Sequence, residues 1–244
     1  MSPDGRRTLR NRRIVAARRA LRCRLPGPEP ALPRPPNPAA AIPSAPVPAH
    51  PLAAARAIEA AVSEAEGATA AEIVVVCAPQ SGTYNDLAWG VGALVSFLAL
   101  AFVVFSPFAL DPIFWPLEVP LLGCAMGWLA ARTPGLCRLA PAQRRAAQVR
   151  VAAEAAFYQE KVFATQGRIG VLVYISWAES QALVIPDEGL LGRIPGEAWP
   201  MVGVDPGSIE GVAEGIKRLG QILAAHVPRE SDDANELPNA PVMR

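Results

Sequence analysis

The 244 residues carry 23 Lys+Arg against 22 Asp+Glu, a formal net charge of +1, with 51% hydrophobic and 6% aromatic side chains. That balance excludes an acidic disordered chain and a small disulfide scaffold, and it speaks against a dedicated nucleic-acid binder, so no nucleic acid is expected as a partner. Two histidines and four scattered cysteines leave little for a zinc site, and free cytoplasmic thiols are the expected state.

Residues 1–50 hold ten Arg against two acids and are dense in proline. Such a composition cannot bury enough apolar surface to fold, so this stretch reads as a disordered arm. Its Arg-Arg pairs look like part of an export signal, but no apolar stretch of the needed length follows them. Attraction to anionic headgroups and a solvated tail without a role both remain open for it.

Residues 51–86 form the first part of a polar domain. Leu52, Ala55, Ile58, Val62 and Ala65 recur at three- and four-residue steps, predicting a helix that ends near Gly67. Ala71–Ala78 then reads AEIVVVCA, the signature of a strand buried on both faces.

Residues 87–131 read as a transmembrane hairpin. From Leu87 to Phe105 no charge interrupts LAWGVGALVSFLALAFVVF, which at about 1.5 Å per helical residue spans most of a hydrocarbon core of roughly 30 Å. Prolines, Asp111, Phe114 and Trp115 suit an interfacial turn, and a second, shorter apolar stretch runs from about Trp115 to Ala131. Arg132, Arg138, Arg144, Arg145 and Arg150 follow directly, whereas the connecting turn has no basic residue. By the rule that cationic flanks stay inside, both termini are expected in the cytoplasm of a bacterial inner membrane. A high Arg-to-Lys ratio with abundant Ala and Pro points to a GC-rich genome.

Residues 132–228 resume the polar domain, followed by a tail at 229–244. A helix is expected over 142–164, with Ala146, Val149, Ala153, Ala156, Phe157 and Phe163 on one stripe. Ile169–Ser176 is a second buried strand, Trp177–Ser180 a turn and Gln181–Pro186 a third strand antiparallel to the second. Ser208 is placed to cap a last helix, and His226 to cap its carbonyl end. A strand, a crossover and a strand in one sheet are expected to be parallel, with the hairpin inserted in the crossover.

The segments TAAEIVVVCAP and GRIGVLVYISWAESQALVIPDEGLLGRIPGEAW, with the tail containing Asn235, Glu236, Leu237 and Pro238, resemble the TPM domain family. Within it they are similar to the bacterial membrane proteins whose domain is interrupted by a transmembrane pair. The resemblance covers about residues 52–244 and implies an α/β class fold: a three-layer α/β/α domain around a small mixed sheet. Family roles range from photosystem repair and an acid phosphatase activity to an auxiliary receptor subunit, so fold alone does not carry function across. Many members have a Gly-Tyr-Gly turn after the third strand where this chain reads Pro186, Asp187, Glu188, Gly189.

Strand polarity brings Glu72, Asp187 and Glu188 to one edge of the sheet, away from the hairpin, where oxygen ligands could hold calcium or magnesium. The alternative is that they are solvated or ion-paired, with Arg193 the obvious local partner. At the opposite edge lie Asp86 and Glu179, and a site there would meet lipid headgroups or a membrane partner before a soluble metabolite. The chain has no phosphate-cradling Gly-rich loop, no Cys followed five residues later by Arg and no Asp-x-Asp pair. Two readings follow. The first is a non-enzymatic scaffold or assembly factor whose partners are the bilayer and a membrane protein complex. The second is a metal-dependent, acid-phosphatase-like hydrolase using Glu72, Asp187 and Glu188.

Overall fold

The computed structural model describes residues 51–106, 113–229 and 237–244. The expected arm, most of the turn around Asp111 and the Asn235-Glu236 pair lie outside them. The order is α1 (Pro51–Glu66), β1 (Glu72–Ala78), α2 (Asn85–Phe105), α3 (Trp115–Ala131), α4 (Ala142–Gln159), β2 (Gly170–Ser176), β3 (Gln181–Pro186), α5 (Glu188–Leu191), α6 (Ile209–His226) and β4 (Val242–Met243). It is a mixed α/β architecture.

Four strands lie in the order β3-β2-β1-β4. β1 and β2 are parallel, in register from Glu72 opposite Gly170 to Ala78 opposite Ser176, and β3 runs antiparallel to β2. All seven positions of β1 and of β2 are buried, as their unbroken apolar runs predict. Because side chains alternate along a strand, Ile73, Val75 and Cys77 pack with α1 and α6, while Val74, Val76 and Ala78 pack with α4. Gly220 of α6 lets α1 approach closely, since a Cβ there would stand 2.5 Å from that of Ala65.

Several elements differ from the sequence reading. The helix expected over 142–164 stops at Gln159, because Lys161 turns left-handed at φ 55°. Phe163 consequently leaves the stripe and is partly exposed. On α1, Ala54 is buried in place of Leu52. The tail re-enters the sheet as β4, parallel to β1, with Val242 opposite Val76. Its Arg244 amide donates to the Cys77 carbonyl, and its guanidinium holds Gln159 and Glu160 at 2.6 Å each. Ser208 caps α6 by accepting from the Gly211 amide, and His226 Nδ1 meets the Ile222 carbonyl, both as expected.

α2 and α3 pack antiparallel as a helical hairpin. Small residues allow the approach: a Cβ on Gly92 would lie 2.5 Å from the Gly123 carbonyl oxygen, and one on Gly127 3.1 Å from that of Ala88. Ser96 Oγ donates to the Val119 carbonyl across the seam. Of the two expected spans, only α2, at 21 residues, is long and apolar enough to cross a membrane; α3 has 17 residues and carries Pro120 within it. A membrane pair is therefore not met in full by length and composition.

Candidate functional site at the carboxyl edge of the sheet

β1 and β2 end side by side at Ala78 and Ser176, and two loops continue their pairing: the Trp177 amide donates to the Ala78 carbonyl and the Ala178 amide to that of Pro79. The turn back to β3, with Ser180 at φ 51°, drops Glu179 inward until it is 2% exposed. A carboxylate so deeply buried needs donors on its oxygens. They come from the segment leading into α2: the amides of Ser81 at 3.2 Å and Gly82 at 3.1 Å, and the Tyr84 hydroxyl at 3.0 Å. The Ser176 hydroxyl donates as well. Ser81 Oγ donates to Ser176 Oγ at 2.7 Å and lies 3.0 Å from the Tyr174 hydroxyl, so the cage continues as a row of hydroxyls.

Burial, and then the charge of Glu179 beside it, push the Tyr84 hydroxyl well above the ordinary phenol range, so it serves as a donor. Cys137 is raised by burial first and Glu179 second, and its Sγ lies 3.1 Å from the Ala178 carbonyl. One step outward, Arg144 of α4 grips both oxygens of Asp86, the second residue of α2, at 2.6 and 2.7 Å. A cavity of about 100 Å³ opens here between the loop from Gln80 to Asn85 and the end of α3, with Thr133, Leu136 and Cys137 on its far wall. The arrangement contains hydroxyls and a carboxylate but holds every one of them in a mutual bond. Its chemistry is that of a rigid joint between the sheet and the helical hairpin.

At the other edge, Glu72 lies at the start of β1 opposite Gly170, and the Asp187 amide donates to the Gly170 carbonyl, so the sheet does gather the three predicted acids. What they bind differs from the metal reading. Asp187, 3% exposed, is held by Arg168 through two bonds of 3.0 and 3.2 Å, and the same guanidinium meets Glu188 at 3.0 Å. Glu72 accepts from the Leu237 amide at 3.3 Å. Among the described residues no group of three or more His, Cys, Asp or Glu side chains is placed to hold a metal ion. The partner of Asp187 is thus Arg168, not Arg193, because Arg168 stands just before β2 on the strand that pairs with β3. Next to Glu72, Glu66 accepts from the Ile73 amide at 2.9 Å, while burial pushes its carboxyl up to about 7, against that hydrogen bond and with a smaller contribution from Glu72.

Sequence reasoning reached Glu179 and Asp86 but missed Ser81, Tyr84, Tyr174, Ser176 and Arg168. A serine closing an otherwise apolar strand and a tyrosine just before an uncharged run were the available signals. Trp177 and Trp199 are buried core residues.

No family model matches the chain, and no curated protein matches it. A solved structure similar to it is the NMR structure of BA42 protein from the psychrophilic bacterium Bizionia argentinensis sp. nov., at a TM-score of 0.48 and 18% identity, covering 79% of this chain and 94% of that one.

Proposed function

We propose that this chain is a bacterial inner-membrane protein of the TPM type, in which a three-layer α/β/α domain on the cytoplasmic side acts as a scaffold or assembly factor for a membrane protein complex. The observation that carries the reading is the joint at Glu179, which ties the carboxyl edge of the sheet to the segment leading into α2 and so holds the domain against the base of the hairpin.

The hairpin surface supports immersion in lipid. Trp89 and Trp128 are exposed near its base, Phe105 and Phe114 near its tip, and Phe97, Leu98 and Phe102 between them. The rise from Trp89 to Phe105 is about 24 Å of helix, most of a hydrocarbon core of roughly 30 Å. Both helices are read as spans on this basis, and the arginines that follow α3 keep the domain inside. The partner is a membrane protein meeting the hairpin or the domain's near edge.

Membrane fractionation followed by crosslinking and capture from membranes tests the reading. Retention in the carbonate-washed membrane with a reproducible protein partner is expected. Release into the soluble fraction would overturn the membrane assignment, and capture of no partner above background would overturn the scaffold.

A further inference from the structure

At the base of the hairpin three arginines have no acidic partner among the described residues, while their neighbours do. Arg144 is taken by Asp86 and Arg150 by Glu154. Arg132, Arg138 and Arg145 appear in no ion pair, and the Nε of Arg145 is shielded from solvent without a hydrogen-bond partner. From the pairing and this placement we infer that Arg132, Arg138 and Arg145 form a docking site for the headgroups of anionic phospholipids.

The three come from three successive pieces of chain at the foot of α3. Arg132 follows the last residue of α3, Arg138 lies in the short helical turn Pro134–Leu139, and Arg145 lies in the first turns of α4. The middle piece is pinned to the base of α2, since Leu136 and Cys137 share a buried cluster with Tyr84 and Ala88. Arg138 and Arg145 both bear electrostatically on the Cys137 thiol, so both lie in its neighbourhood.

The surroundings suit a headgroup better than a free anion. The guanidinium of Arg132 stacks 3.2 Å from the centre of the Trp128 ring, a residue type that settles at the headgroup level of a bilayer. Next to Arg138, Leu139 is 67% exposed, an apolar side chain turned outward beside a cation. Cations flanked by an exposed tryptophan and an exposed leucine match a phosphodiester lying above acyl chains. A soluble phosphate would gain nothing from the apolar pair. Uncompensated positive charge here also faces the anionic inner leaflet, where each basic residue contributes about a fivefold preference, or roughly a hundredfold for three.

This inference rests on the membrane reading above. The test reconstitutes the full chain in nanodiscs containing equal amounts of phosphatidylglycerol and phosphatidylcholine, then releases it and measures retained lipid by mass spectrometry. Wild type is expected to retain phosphatidylglycerol in excess, by up to about a hundredfold. The variant Arg132→Gln/Arg138→Gln/Arg145→Gln should retain the two lipids equally, and the corresponding triple Lys variant should keep most of the preference. Equal retention by wild type, or a preference that survives the triple Gln change, overturns the site alone. Displacement of the lipid by millimolar inorganic phosphate overturns it in favour of a soluble anion. Failure to enter nanodiscs, with folded protein left in the lipid-free fraction, overturns the membrane reading and the site together.

Discussion

The hydroxyl of Tyr84 donates to the carboxylate of Glu179 at 3.0 Å across 95 positions of sequence, linking the entrance of α2 to the turn after β2. Glu179→Gln replaces an acceptor facing four donors, two backbone amides and two hydroxyls, with an amide that brings donors of its own. Leaving buried donors unmet costs about 1–3 kcal/mol each, so a loss of roughly 3 kcal/mol is expected, seen as a lower denaturation midpoint in detergent. Tyr84→Phe removes one bond and should cost about 1 kcal/mol. Equal, negligible effects would mean that the joint is not a structural element.

Glu66 makes stability pH-dependent. Its folded-state value is about 7 against an ordinary 4.5, so the folded protein holds this proton more tightly than the unfolded chain. Its contribution to stability is therefore fully present below pH 4.5 and declines as the pH rises from 4.5 to about 7, by roughly 3 kcal/mol at most. Glu66→Gln should raise the melting temperature at pH 8 and flatten this part of the profile. Thermal melts of wild type and variant across the window check it.

The seam of the hairpin depends on absent side chains. Gly92→Leu drives atoms into the Gly123 backbone, and the helices must separate to admit them. Overpacking of this kind costs about 1–3 kcal/mol, and a lower melting temperature with altered tryptophan emission from Trp89 and Trp128 is expected.

At the far edge, Arg168 already occupies the acids that a cation would need. Millimolar calcium or magnesium should leave the melting temperature of the wild type unchanged. A cation-dependent rise, abolished in Asp187→Asn/Glu188→Gln, would instead favour the metal-dependent hydrolase. Arg168→Ala should lower the melting temperature, since it strands Asp187 under cover.

β1, β2 and β3 were legible because sustained Val and Ile runs, bounded by Pro, Gly or turn residues, state both the strand and its burial. Ser208 and His226 were legible because capping is a local matter of one side chain and a neighbouring backbone group. β4 was not, for two residues of a Pro-flanked tail carry no periodicity and pair only because β1 offers a free edge. The choice of Arg168 over Arg193 follows from strand register, which sequence spacing does not express. The hydroxyl cage escaped for the same reason: Ser81 and Ser176 stand far apart in sequence and meet only at the ends of paired strands.

β1 precedes the hairpin and β2 follows it, yet the two are adjacent and matched residue for residue over their whole length. For a chain whose hairpin enters the bilayer, that pairing is possible only when both flanks emerge on one side. A molecule in which the second helix failed to insert would leave Val74, Val76 and their neighbours as an exposed apolar edge on one face of the membrane and β2 stranded on the other. If the hairpin inserts as proposed, completion of the sheet would thereby proofread insertion, and misinserted chains would carry unpaired strands.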